Sequence, residues 1–97
     1  MKNLDEIKKL LNQEKAKLLI QFRVKKIAIF GSYVRGEEKK NSDLDILVEF
    51  IEPIGFFKFL DLEEYLKKLL KIKIDLVSKK ALKPRIGKHI LQEIIPI

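Results

Sequence analysis

Phe30-Gly31-Ser32-Tyr33-Val34-Arg35-Gly36, followed across a charged loop by Ser42-Asp43-Leu44-Asp45-Ile46-Leu47-Val48, decides how this chain is read. An apolar run from Ile27 to Phe30 stops at Gly-Ser, and a second apolar run opens on two aspartates one residue apart. Side chains alternate along a strand, so Asp43 and Asp45 are expected to face the same way. Neighbouring carboxylates repel one another and gain nothing structurally unless a cation lies between them. Magnesium suits the position, because it takes carboxylate oxygens together with substrate phosphates and keeps part of its water shell. A Gly-Ser turn beside it offers backbone N–H groups and a hydroxyl to phosphate oxygens. Residue types alone point to a site for a metal-bound nucleoside triphosphate. Each piece also has a plain structural reading, since Gly-Ser is an ordinary turn and Asp-x-Asp suits a strand edge.

Outward from this stretch, the spacing predicts an amphipathic helix over 3–22, capped by Asn3 with Glu6 as its capping-box partner. Leu4, Ile7, Leu10, Leu11, Leu18, Leu19 and Phe22 form its apolar face. A strand is expected at 25–30, a helical turn at 33–36 ended by Gly36, and a polar loop at 37–41. Residues 44–50 give the clearest strand, with Leu44, Ile46, Val48 and Phe50 on one side and Asp43, Asp45, Leu47 and Glu49 on the other. Glu52-Pro53-Ile54-Gly55 marks a turn. A second helix is expected over 56–71 and a strand over 72–77, on which Asp75 projects away from the apolar side. If that strand neighbours the first, all three aspartates share one exposed sheet face. Residues 78–83 connect to a last helix from Pro84 to about Ile94. The alternation predicts an α/β (α+β) fold, a sheet backed by helices on one face.

The chain has 97 residues, which make one domain spanning 1–97. At 46% apolar and 36% charged it is neither disordered nor membranous in composition, and no apolar run is long enough to span a bilayer. The N-terminus lacks a signal-peptide apolar region, and the absence of cysteine excludes disulfides and thiolate metal sites; a cytoplasmic location is expected. A net charge of +7 attracts anionic partners, but the lysines are scattered and arginine occurs only at 23, 35 and 85. Direct nucleic-acid binding is therefore not expected. His89, the single histidine, reads as a surface residue, and Tyr33 and Tyr65 as packing aromatics.

Gly31-Ser32-Tyr33-Val34-Arg35-Gly36, Ser42-Asp43-Leu44-Asp45 and Ile74-Asp75-Leu76-Val77 together resemble the minimal nucleotidyltransferases (MNT domains) of the DNA polymerase β superfamily. The resemblance covers nearly the whole chain, including the closing helix with Leu82, Pro84 and Ile90; Val34 stands where the family usually has alanine. It implies a mixed sheet of polymerase-β-like nucleotidyltransferase fold, with ATP and two magnesium ions on the open face. Carried over by position, Asp43 and Asp45 are the metal ligands, and Asp75 is the third carboxylate, which helps activate the incoming hydroxyl. Gly31 and Ser32 form the triphosphate turn, and Ser42 caps the turn that aims Asp43. Arg35 either contacts phosphate or braces the loop through an ion pair. Proteins of this kind are antitoxins that transfer AMP from ATP to a tyrosine of a HEPN-domain ribonuclease toxin, so the implied partner is that toxin, in a hetero-oligomer. Two alternatives stand beside this: an antitoxin that inhibits by binding alone, and nucleotidyl transfer to RNA or a small molecule.

Overall fold

The computed structural model describes residues 3–39, 42–82 and 84–97, the side chains of 84–86 aside. Lys40 and Asn41 of the expected polar loop, Lys83 of the expected connection and the Arg85 side chain lie outside the described residues. In chain order the elements are α1 (Leu4–Gln13), α2 (Lys15–Phe22), β1 (Val24–Phe30), α3 (Ser32–Arg35), β2 (Leu44–Phe50), α4 (Phe56–Leu70), β3 (Ile74–Ser78), a short 3-10 turn (Lys79–Ala81), α5 (Pro84–Leu91) and β4 (Ile95–Pro96).

The single N-terminal helix expected over 3–22 is two helices. Its start is as expected, with the Glu6 N–H donating to Asn3 Oδ1 at 2.9 Å. It breaks at Glu14, where φ −100 and ψ 5 leave helical geometry. The reason lies in the spacing: the positions that should continue the stripe after Leu11 are Glu14 and Lys15, both charged. A break there lets Leu18 and Phe22 re-aim into the same core as Ile7 and Leu11. Arg23, at φ 59, then turns the chain into β1.

The four strands lie in the order β3-β2-β1-β4. β1 pairs antiparallel with both β2 and β4, while β2 and β3 are parallel and joined by α4, as a parallel connection requires. The sheet is therefore mixed. Ile27 and Ile29, Leu44, Ile46 and Val48, and Ile74 and Leu76 form one face of it. They pack against Ile7 and Leu11 of α1, Leu18 and Phe22 of α2, and Leu62, Leu66 and Leu70 of α4. Ten side chains of this layer are essentially sealed from solvent, and no polar or charged side chain is buried among the described residues. On the opposite face, Ala28 and Leu47 are also buried and share a cavity wall with Leu91 and Ile94 of the C-terminal segment. β4 was not expected. Two residues, one of them proline, carry no periodic signal, and only pairing with Ala28 and Ile29 makes them a strand.

Among the described residues no helix is long and apolar enough to cross a membrane.

Candidate active site

β1 ends at Phe30 where β2 begins, and the antiparallel register sets Phe30 opposite Asp45. The parallel register sets Asp45 opposite Asp75. Register partners in adjacent strands point to the same face, so the two carboxylates stand side by side across neighbouring strands. Leu44, Ile46 and Val48, buried on the other face, make this orientation obligatory: a one-residue slip would bury the aspartates and expose the core.

The chain leaves β1 through Gly31, at φ 81 and ψ −151, a conformation essentially closed to other residues. Space gives a second reason for glycine. A Cβ on Gly31 would run into the Asp45 carboxylate, 2.9 Å from its Cγ. The turn and the aspartate are thus packed backbone to carboxyl. Gly31 caps α3: its carbonyl accepts from the Val34 and Arg35 N–H groups at 3.0 and 3.2 Å, leaving those of Ser32 and Tyr33 without an intrahelical partner. Gly36, at φ 70, ends α3 with its N–H on the Ser32 carbonyl.

Asp45 carries the electrostatic signature of the site. Its pKa is raised from 3.8 to about 6, first by burial, then by the charge and hydrogen bond of Asp75, and then by Asp43, with Arg35 acting in the opposite sense. Like charges converge here on a half-buried carboxyl, a conflict that a divalent cation relieves. The donors are all oxygen, which fits magnesium rather than a thiolate or imidazole metal. The expected trio is not equally assembled, however. Asp45 and Asp75 are register neighbours, whereas Asp43 lies just before β2; Asp43 and Asp75 are both exposed and Asp45 is partly buried. Among the described residues no three His, Cys, Asp or Glu side chains are gathered closely enough to hold a metal ion.

Ser42 ties off the loop that delivers Asp43. Its Oγ accepts from the Lys39 N–H at 2.8 Å, and its own N–H donates to the Lys39 carbonyl at 2.9 Å. Arg35 is exposed and braces rather than packs: Nη1 donates to Glu93 Oε1 at 2.9 Å and Nε to Glu37 Oε2 at 3.3 Å. Of the two roles open to Arg35, the ion pair is present. Glu93 had no sequence signal, being 58 residues away in a short turn. Tyr33 is in the core, where burial, followed by Glu38 and Asp43, raises its pKa. Tyr65 packs 5.5 Å from Phe22 with Lys17 over its ring, and His89 is exposed, both as expected. Val34 is partly buried against the core, which accommodates its extra methyl groups. A groove of about 740 Å³ between Phe50, Ile54, Phe59 and Lys79 lies at the opposite end of the strands and does not touch the aspartates.

A glycine turn pressed against paired carboxylates at the open end of a mixed sheet defines a phosphoryl-transfer class of protein. The family model for the nucleotidyltransferase domain matches residues 4–97, and the chain belongs to that family. It is 48% identical over 95 residues to the protein adenylyltransferase MntA of Thermococcus cleftensis, covering 98% of this chain and 96% of that one. A provisionally named minimal nucleotidyltransferase of known structure superposes with a TM-score of 0.77 at 33% identity, over 94% of this chain and 95% of that one. The fold is also that of a chain in the complex of the tri-AMPylated Shewanella oneidensis HEPN toxin with its MNT antitoxin. That match has a TM-score of 0.65 at 21% identity, over 91% of this chain and 69% of the other.

Proposed function

We propose that this nucleotidyltransferase transfers AMP from ATP to a tyrosine hydroxyl of a HEPN-domain ribonuclease toxin, and acts as that toxin's antitoxin. The observation that carries the reading is the placement of Asp45, in register with Asp75 and in contact distance of the Gly31 turn. The name of the Thermococcus cleftensis relative and the AMP-bearing toxin of the Shewanella oneidensis complex supply the donor group and the kind of acceptor. Asp43 and Asp75 are exposed, so an acceptor on another molecule can reach them.

In this reading Asp45 and Asp75, joined by Asp43 once a cation draws the three together, would hold two magnesium ions, which would supply charge neutralisation at the phosphates. The Gly31–Ser32 turn cradles the triphosphate through backbone N–H groups and the Ser32 hydroxyl. The acceptor oxygen attacks the α-phosphorus, forming a new P–O bond as the bond to the β-phosphate breaks and pyrophosphate leaves. Asp75 takes up the hydroxyl proton.

The test is incubation of the purified chain with labelled ATP, magnesium and any HEPN-domain protein encoded beside it. Label on a toxin tyrosine, lost with EDTA and in Asp43→Asn and Asp45→Asn, is the expected result. Full transfer by both variants would remove the metal roles. Label on RNA or a small molecule alone would replace the acceptor, and neutralisation by the triple Asp→Asn protein would favour inhibition by binding.

A further inference from the structure

We infer that Glu93 is a positioning residue for the nucleotide: by holding Arg35, it locks the Gly31–Arg35 turn to the C-terminal segment. The inference rests on the nucleotide-transfer reading of that turn. α3 is four residues long and is hinged at both ends by glycines, at φ 81 and φ 70. Its inner side is anchored by packing, through buried Tyr33 and partly buried Val34. Its outer side is held by Arg35, whose guanidinium meets Glu93 at 2.9 Å and Glu37 at 3.3 Å. Two carboxylates on different nitrogens fix the plane of a rigid fork in a way that one contact does not.

Glu93 is well placed to be the fixed end. Its N–H donates to the Ile90 carbonyl at 3.1 Å. Two residues later β4 pairs with Ala28 and Ile29, and the Ile97 N–H donates to the Ile27 carbonyl at 3.0 Å. β4 is therefore bonded to β1, the strand that runs directly into the Gly31 turn. A closed circuit results: β1 to the turn, the turn through Arg35 to Glu93, and Glu93 through β4 back to β1. Arg35 is exposed and Glu93 partly buried, with side-chain exposures of 44% and 26%, and the pair adds little to folding. Its effect is on where the turn sits before the phosphates arrive, and so on nucleotide affinity.

Titration of the full chain with ATP and magnesium, followed by steady-state transfer, tests this. Glu93→Gln is expected to weaken ATP binding and raise KM for ATP by about two- to fivefold, the range of a lost surface ion pair, while kcat at saturating ATP stays within about twofold. Glu93→Asp should fall between, and Glu93→Gln should add nothing in an Arg35→Ala background. Unchanged ATP affinity in Glu93→Gln, or an equal further loss in the Arg35→Ala background, would overturn the positioning role. A wild-type chain that binds no ATP would instead overturn the nucleotide-transfer reading itself, so the two failures are separable.

Discussion

Replacing Asp45 by asparagine should stabilise the metal-free fold while abolishing transfer. The argument starts from the pKa, raised from 3.8 to about 6 by burial, Asp75 and Asp43. A carboxyl whose pKa is higher folded than unfolded binds its proton more tightly in the native state. Its contribution to stability is therefore fully present below pH 3.8, declines as the pH rises, and is lost above about pH 6. At ~1.4 kcal/mol per pH unit, that difference sets an upper bound of ~3 kcal/mol on what ionised Asp45 costs the fold at neutral pH. Solvent screening at a half-buried site reduces this to ~1–2 kcal/mol. Asparagine keeps the shape, carries no charge and can donate to Asp75. At ~4–8 °C per kcal/mol for a domain of this size, the variant should melt about 4–15 °C higher at pH 7.5 in EDTA. The assay is thermal unfolding of both proteins by circular dichroism from pH 3.5 to 8. The gap should shrink as the pH falls through 6 and nearly close by pH 3.5, where Asp45 is protonated when folded and mostly protonated when unfolded. A variant no more stable than wild type at pH 7.5, or a gap unchanged at pH 4, would refute the reasoning.

Gly31→Ala forces a positive φ on a side chain and drives its Cβ into the Asp45 carboxylate; urea unfolding should show a loss of about 1–3 kcal/mol, and AMP transfer should fall to background. Leu66→Ala opens a cavity in the sealed layer between α4 and the sheet; the urea midpoint should drop by the equivalent of about 2–5 kcal/mol with the slope unchanged. Asn3→Ala removes the 2.9 Å bond that caps α1 and should cost about 1 kcal/mol by the same measurement, leaving ATP affinity untouched.

What was legible in the chain divides along a physical line. The strand at 44–50 and the helix beginning at Phe56 were read at their observed places because a residue's fate there depends on its own side chain and its near neighbours. Apolar residues at period two or 3.6 must go inward, whatever the rest of the molecule does. The shared face of Asp45 and Asp75 followed from the same alternation once β2 and β3 were supposed adjacent, and the register bears that adjacency out. Gly31 was read as a turn glycine; its contact with Asp45 is a second constraint that only the β1–β2 register reveals. The elements that escaped depend on partners distant in sequence. The break at Glu14 serves a core that both helices must reach together. β4 exists because β1 offers an unpaired edge. Glu93 matters, on the inference above, because β4 carries it to Arg35. A local reading therefore recovers which groups could do the chemistry. What it misses is how firmly the turn proposed to bind the phosphates is held, since that depends on a strand and an ion pair closing across more than half the length of the chain.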